Sequence, residues 1–229
     1  MLVSQNIIDE LKNQGIQADS SQIVLINKLC SLELNKKTLF NFRIIKKKKK
    51  RLGIYIWGDV GRGKTLITQT FIKNCLDICT KSFHYIDLMK YIHKKLSDYS
   101  GEINPLKKVK KALQKDCQLL FIDEFQVEDV ADAMIIGNLI SELIEDGLNI
   151  IITSNAHPND LYKDGLQRKK FLDSMEILQQ KVEVFELNAG IDYRTKIIME
   201  FNSVKKNYTD KEIQELINGN ADSNGILSS

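Results

Sequence analysis

The feature that most constrains the fold of this chain is an eight-residue stretch, GDVGRGKT, at positions 58–65. It fits the pattern G-x-x-x-x-G-K-[ST]. An apolar run, LGIYIWG, leads into it, and a helical pattern begins at Lys64. Glycines let a backbone curl until several N–H groups converge, and the amino terminus of a helix adds positive potential there. The sequence therefore predicts a buried strand, a phosphate-binding loop and a helix in direct succession.

This loop predicts a nucleotide site in which backbone N–H groups hold phosphate oxygens. Lys64 should reach the β- and γ-phosphates of ATP, and the Thr65 hydroxyl should bind Mg²⁺. The residues expected to contact the nucleotide are Gly58, Asp59, Val60, Gly61, Arg62, Gly63, Lys64 and Thr65. The alternative interpretation is a glycine-rich turn that binds no nucleotide.

The rest of the chain alternates apolar strand patterns with helical ones. Strands are predicted within 52–58, 82–88, 117–123, 149–155 and 181–187, and helices within 64–79, 89–98, 132–146 and 166–180, with a short helix after Pro105. This alternation is typical of an α/β fold in which helices cover both faces of a parallel sheet.

The domain organisation is predicted from the same patterns. Two helices within residues 5–34 form an N-terminal helical extension, 1–45, which a basic linker, 46–51, joins to the α/β core, 52–189. The remaining segment, 190–229, contains one predicted helix and has a polar end that we expect to be disordered.

Two acidic residues end the predicted strand LLFIDEF, residues 119–125. Asp123 and Glu124 stand at its carboxyl end, the edge at which parallel sheets bind their ligands. We expect Asp123 in the coordination shell of Mg²⁺ and Glu124 to orient and deprotonate an attacking water. A small-molecule kinase has no use for a residue that activates water, so the pair favours hydrolysis. An ordinary solvated turn is the alternative.

Polar residues also end the strand NIIITSN, residues 149–155. One predicted helix separates it from the strand of Asp123, so the two carboxyl ends should lie at one edge of the sheet. The amide of Asn155 is then expected to position the attacking water beside the γ-phosphate. The alternative is an unremarkable polar strand end before Pro158.

Composition narrows the function classes. The chain has 229 residues, of which 43% are apolar, and it lacks the run of roughly 18 apolar residues that a membrane-spanning helix needs. Acidic residues and no apolar segment at the start argue against a signal peptide, so we expect a cytoplasmic protein. The net charge of +3 is too small to indicate nucleic acid binding. The run KKKKKR at 46–51 is interpreted as a solvated linker, with contact to an acidic partner, nucleic acid or a lipid surface as the alternative.

Cysteines and histidines offer a competing interpretation. Cys75 and Cys79 are predicted to share one face of a helix, and with His84 they would supply three metal ligands. Packed, reduced thiols are the favoured interpretation of all four cysteines. His84 and His93 are likewise interpreted as packing residues rather than catalytic ones.

With these elements in order, the chain resembles the AAA+ ATPases, and within them the family of the cell-division ATPase ZapE and the ATPase-family-gene-one (lactation-elevated) proteins. The resemblance runs from about residue 20 to Arg194. It is carried by LGIYIWGDVGRGKT, FHYIDLMKYIHKKL, LLFIDEFQVEDVADAMIIGNL, TSNAHPNDLYKDGLQRKKFL and AGIDYR.

The resemblance implies a five-stranded AAA+ sheet, hydrolysis of ATP with Mg²⁺, and assembly into a homo-oligomeric ring. By motif, residues 58–65 are Walker A, Asp123 and Glu124 are Walker B, and Asn155 is sensor 1. Arg168 falls where AAA+ proteins carry an arginine finger, which reaches the γ-phosphate bound by a neighbouring subunit. The sequence has only five arginines among its 33 basic residues, and a guanidinium spans two phosphate oxygens as an ammonium cannot.

One departure from the family concerns the carboxyl end. The family continues past the DYR motif with a helical segment that includes a sensor-2-type arginine, whereas here 190–229 predicts a shortened segment and a reduced lid.

The resemblance implies an ATPase that remodels protein partners, in cell division or in the handling of inner-membrane proteins, and it leaves peripheral membrane association open. Two alternatives are kept: an ATP-dependent assembly switch with little turnover, and a nucleic-acid ATPase of the helicase-loader type.

Overall fold

Five parallel strands form the sheet of this protein, described here from a computed structural model that covers residues 2–34, 51–115, 117–163 and 165–187. The strands are β1 (Gly53–Trp57), β2 (Thr80–His84), β3 (Leu119–Asp123), β4 (Asn149–Ser154) and β5 (Glu183–Glu186). Their order across the sheet is β2-β3-β4-β1-β5, and every pairing is parallel. The predicted α/β fold with a five-stranded parallel sheet is confirmed.

Helices connect the strands and cover the sheet. The described residues form seven α-helices: α1 (Leu2–Asn13), α2 (Ser20–Cys30), α3 (Lys64–Lys73), α4 (Tyr85–Asp98), α5 (Pro105–Gln114), α6 (Val130–Glu145) and α7 (Arg168–Lys181). A short 3₁₀ turn, Pro158–Asp160, lies between β4 and α7. Every residue of β3 and β4 is buried, as expected of central strands covered on both faces.

Two separate hydrophobic clusters lie on the two faces of the sheet. One contains Leu120 and Ile122 of β3 with buried residues of α4, α5, α6 and α7. The other contains Leu119 and Phe121 of the same strand with residues of α1, α2 and α3. Because successive strand residues point to opposite faces, β3 contributes to both. The two predicted N-terminal helices thus pack on the sheet beside α3.

The boundary between β2 and α4 differs from the prediction. The sequence predicted a strand over 82–88, whereas β2 ends at His84 and helix starts at Tyr85. Tyr85, Leu88 and Met89 are buried on one helix face, an i, i+3, i+4 spacing that fits a helix and not a strand. Apolar residues at this boundary satisfied both patterns, and packing against the sheet selected the helix.

The end of α3 is a second correction. The predicted helix over 64–79 ends at Lys73, so Cys75 and Cys79 do not share a helix face. Neither cysteine forms a disulfide bond with another described residue, and within the described ranges no cluster of three His, Cys, Asp or Glu side chains could hold a metal ion. The alternative metal site is therefore wrong.

Some predictions lie outside the described residues. They concern the linker up to residue 50 and the segment from 188 to 229, with its predicted helix. The described residues all belong to one compact unit, Met1–Gly190. In that part of the chain, no helix is long and apolar enough to cross a membrane.

Candidate active site

The phosphate loop joins β1 to α3 at the carboxyl edge of the sheet. Gly58 has a φ of 142°, and a Cβ at this position would lie 2.5 Å from the carbonyl oxygen of Leu187. Gly63 has a φ of 82° and is the N-cap of α3. Residues other than glycine rarely adopt such backbone angles. The path of this loop therefore requires glycine at these positions of the motif.

Lys64 is the first residue of α3, and its side chain returns across the loop. The ammonium donates to the carbonyl oxygens of Gly58 at 2.7 Å and Asp59 at 2.8 Å. It also donates to the amide oxygen of Asn155 at 3.0 Å. The sequence predicted that Asn155, like Lys64, lies near the γ-phosphate. Lys64 is only 8% exposed. Burial lowers the pKa of Lys64, while the charges of Asp59, Asp123 and Glu124 oppose that shift.

The two predicted Mg²⁺ ligands are in direct contact. The Thr65 hydroxyl donates to Oδ1 of Asp123 at 2.8 Å, and Asp123 is 4% exposed. A hydroxyl and a carboxylate are the hard oxygen ligands that Mg²⁺ takes from a protein when substrate phosphates and waters complete its octahedron. The residues present therefore fit a magnesium ion beside the phosphate loop.

Thr153 holds this arrangement from β4, a role that sequence reasoning did not assign. Its hydroxyl donates a short hydrogen bond to Oδ1 of Asp123 and accepts the backbone N–H of Glu124 at 3.1 Å. Thr153 pairs in register with Ile56 of β1, so it lies at the same edge as the loop. In the sequence, only its place at the end of a predicted buried strand could have indicated this role.

Glu124 follows β3 in a left-handed backbone conformation, with a φ of 53°. Such a conformation costs a non-glycine residue roughly 1–2 kcal/mol, and non-glycine outliers of this kind cluster at functional sites. Its side chain is 66% exposed, in contrast to the buried Asp123. The turn thus separates one carboxylate that faces the loop from one that is open to solvent.

His84 lies between these two carboxylates, although the sequence assigned it to packing. It is the last residue of β2 and pairs in register with Asp123. Its ring nitrogens are 3.9 Å from Oδ2 of Asp123 and 3.8 Å from Oε2 of Glu124. Strand register, which one sequence does not reveal, decides this neighbourhood. His93 instead contacts Asp132, with 2.7 Å between Nε2 and Oδ1.

Arg168 is the first residue of α7, and the turn that leads into it contains Tyr162, Gly165 and Gln167. Its Nη2 donates to the carbonyl oxygen of Asn159 at 2.7 Å, and its Nε has no hydrogen-bond partner among the described residues. It makes no hydrogen bond or ion pair with loop residues 58–65 within those ranges. The structure therefore brings Lys64, Thr65, Asp123 and Asn155 together but leaves Arg168 apart from them.

Known proteins resemble this chain over much of its length. A family model described as AFG1-like ATPase matches residues 1–224. The chain is 34% identical to the cell division protein ZapE of Escherichia coli (strain K12) over 146 residues, which are 64% of this chain and 39% of that protein. It is 32% identical to lactation elevated protein 1 homolog B of Danio rerio over 155 residues, covering 63% of this chain and 31% of that one.

A solved structure has the same architecture. AMPPCP-bound DnaA from Aquifex aeolicus matches with a TM-score of 0.53 at 18% identity, over 89% of this chain and 58% of that one. The fold is therefore that of the P-loop AAA+ proteins.

The chain spans well under half the length of the curated relatives that it matches. The family model, however, covers nearly all of its residues, and the resemblance seen in the sequence agrees with it. The chain belongs to the AFG1-like ATPase family.

Proposed function

We propose that this protein binds ATP with Mg²⁺, hydrolyses it to ADP and phosphate, and acts as a homo-oligomer that remodels protein partners. The observation that carries the proposal is the contact network at the carboxyl edge of the sheet. There Lys64 meets Asn155, and Thr65 meets Asp123. Two residues of the loop thus meet one residue at the end of β3 and one that follows β4, beside a loop that is shaped for phosphate.

Each side chain has a definite task in this reaction. The Lys64 ammonium exchanges the loop carbonyls for oxygens of the β- and γ-phosphates, and Thr65 with Asp123 would hold Mg²⁺, which supplies positive charge to those oxygens. Glu124 takes the proton of a water whose oxygen bonds to the γ-phosphorus. The bond from that phosphorus to the bridging oxygen breaks, and ADP leaves. Asn155 orients the water.

Arg168 completes the site from a second copy of the chain. Its guanidinium is bound to a backbone carbonyl of Asn159, which is a weaker partner than a phosphate oxygen. Its helix starts at the surface, between two exposed residues, Gln167 and Lys169. A planar guanidinium spans two oxygens of a transferring phosphoryl group, so a neighbouring subunit is the proposed recipient.

The name of one relative suggests the biological setting. ZapE of Escherichia coli is a cell division protein, so division proteins are the first partners to test for this cytoplasmic ATPase. Inner-membrane proteins, with peripheral association to the membrane, are the second choice.

The decisive experiment measures phosphate release at several concentrations of wild-type protein and of Glu124→Gln. We expect a wild-type rate per subunit that rises with protein concentration, because the site is completed on assembly. Glu124→Gln should bind ATP with unchanged affinity and hydrolyse it about 10²- to 10⁴-fold more slowly. Equal background rates in both proteins would refute hydrolysis. ATP-dependent sedimentation without turnover would instead support an assembly switch.

A further inference from the structure

The amino terminus of α2 is built by a reciprocal cap. The backbone N–H of Gln22 donates to Oδ1 of Asp19 at 2.9 Å, and the backbone N–H of Asp19 donates to Oε1 of Gln22 at 2.9 Å. Such a capping box satisfies two of the N–H groups that every helix start leaves open. The same two side chains have further contacts outside their helix.

Those contacts lie on the phosphate loop, 40 residues along the chain. Nε2 of Gln22 donates to the carbonyl oxygen of Arg62 at 3.0 Å in a buried position. Nη2 of Arg62 lies 3.5 Å from Oδ2 of Asp19, and Arg62 is 6% exposed. A Cβ on Gly63 would come within 3.2 Å of Nε2 of Gln22. The two capping residues of α2 therefore pack against the peptide that joins Arg62 to Gly63.

The geometry of a trans peptide gives this contact a consequence. The carbonyl of Arg62 and the N–H of Gly63 belong to one peptide plane and point in opposite directions. Because Gln22 holds the carbonyl on the α2 side, the N–H of Gly63 points within that plane in the opposite direction, away from α2. An N–H that faces away from the cap is free to serve the interior of the loop.

Packing makes α2 a firm support for this contact. Leu25, Ile26 and Leu29 are all fully buried in the cluster that also holds Ile54 of β1 and Ile67 of α3. The helix thus shares a core with the strand and helix on either side of the loop. Because α2 packs in the same core as β1 and α3, it cannot move independently of the two elements that flank the loop.

We propose that Gln22 is a positioning residue for the phosphate loop. Through the Arg62 carbonyl it fixes the orientation in which the N–H of Gly63 donates to a nucleotide phosphate, and Asp19 assists by pairing with the Arg62 guanidinium. The inference rests on the proposed function for its ligand. It makes the N-terminal helices part of the nucleotide site.

The most direct test is Gln22→Glu, which keeps an acceptor for the N–H of Asp19 and so preserves the capping box. It removes the donor to Arg62 and places a carboxylate oxygen against a carbonyl oxygen. We expect the dissociation constant for a fluorescent ATP analogue to rise about tenfold or more, the scale of one lost buried hydrogen bond and an unsatisfied partner. The melting temperature should change by only a few degrees.

A second variant and a matched control separate positioning from folding. Asp19→Asn keeps the cap oxygen and removes the charge that pairs with Arg62, so a smaller loss of affinity is expected. Asn104 caps α5, because its Oδ1 accepts the N–H of Lys107 at 3.1 Å. Asn104→Ala removes this cap. It should lower the melting temperature and leave ATP affinity unchanged.

The outcomes distinguish the positioning role of Gln22 from the proposed function. Wild-type affinity for ATP in a folded Gln22→Glu protein would overturn the positioning role and leave the proposed function standing. An affinity loss in Asn104→Ala that matches the loss in Gln22→Glu would assign the effect to general stability and would also overturn it. A folded wild-type protein that binds no ATP would overturn both.

Discussion

The phosphate loop and the turn that carries Arg168 place their positive charges in opposite surroundings. In the loop, Lys64 donates three hydrogen bonds within its own chain, and Arg62 is buried against Asp19. On the turn, Arg168 is half-buried and donates to one backbone carbonyl. The chain therefore supplies Lys64 of its phosphate loop with three acceptors but gives Arg168 a partner that a stronger acceptor can replace.

The two regions also reach their shapes by different means. The loop places glycine at its left-handed positions, including Gly61 and Gly63. The turn places Tyr162 and Gln167 in that conformation, with φ values of 53° and 57°. A left-handed non-glycine residue costs roughly 1–2 kcal/mol, so the surrounding packing must hold the turn. The ring of Tyr162, edge-on to that of Phe171 with 5.9 Å between the ring centres, supplies part of that packing.

The largest effect should come from Arg168→Lys. We expect it to retain ATP affinity and lose about 10³- to 10⁵-fold in hydrolysis, because an ammonium lacks the planar pair of donors that a transferring phosphoryl group requires. Steady-state phosphate release measures the loss. Full activity in Arg168→Lys would show that Arg168 is not needed for hydrolysis, and the functional contrast between the phosphate loop and the turn would then fail.

Mixing subunits sharpens the same comparison. Arg168→Lys has an intact Glu124, and Glu124→Gln has an intact Arg168. A mixture should recover part of the activity that each lacks, since one copy supplies the arginine and the other supplies the base. No recovery in a co-assembled mixture would contradict a finger that acts between subunits.

Gly165→Ala should destabilise the turn. A Cβ at Gly165 would lie 1.8 Å from the ring of Tyr162, whose hydroxyl donates to the carbonyl oxygen of Leu166 at 3.0 Å. The ring has to move, and we expect a loss of about 1–3 kcal/mol in unfolding free energy. Chemical denaturation measures it. In a Tyr162→Ala background the same change should cost much less, and an equal cost there would refute the steric explanation.

Thr153→Val tests the shared hydroxyl at the carboxyl edge of the sheet. Valine keeps the shape, but it leaves the N–H of Glu124 without its acceptor and removes a donor to Asp123. We expect a loss of roughly 1–3 kcal/mol in unfolding free energy, measured by denaturation. Because Asp123 is a proposed Mg²⁺ ligand, Thr153→Val should also raise the Mg²⁺ concentration that ATP hydrolysis requires. Ile151→Val, a buried change elsewhere in the same strand, is the control and should leave that Mg²⁺ dependence unaltered.

The smallest effect concerns pH and Lys64. Burial lowers the pKa of Lys64 below its usual 10.5, and only the charged form pairs with phosphate. ATP affinity should therefore fall as pH rises through this lowered pKa, by at most about tenfold per pH unit. Calorimetric titration over a range of alkaline pH measures this fall, and Lys64→Arg, which stays charged, should flatten the profile. A fall that begins only above 10.5 would contradict the shift.

The sign for protein stability is opposite. Between the lowered pKa of folded Lys64 and its usual value, the unfolded chain binds more protons. The contribution of Lys64 to the free energy of unfolding therefore rises with pH in that window. Denaturation of the nucleotide-free protein across the same range tests this direction.

Several parts of the site could be predicted because the chemistry lies within single motifs. The spacing of the loop glycines with Lys64 and Thr65, and the acidic pair after an apolar strand, are local patterns. Other parts depend on register and on packing. His84 reaches Asp123 because β2 and β3 pair with those residues side by side, and Thr153 reaches Asp123 across a strand pair in the same way.

Local ambiguity explains the boundary errors. The sequence from Ser82 to Leu88 is apolar enough for a strand and periodic enough for a helix. Burial of Tyr85 and Leu88 on one face decided in favour of α4. A pattern that satisfies two structures is resolved only by what it packs against.

The sequence by itself determined an α/β fold with a phosphate loop, the acidic pair beside it and the family to which the chain belongs, because each is written in contiguous residues. Only the tertiary structure decided that Gln22 of α2 supports the Arg62 carbonyl, that Asn155 meets Lys64 and that Arg168 stands apart from both. The physical reason is that hydrogen bonds between residues far apart in the chain depend on strand order and helix packing, which a local pattern does not specify.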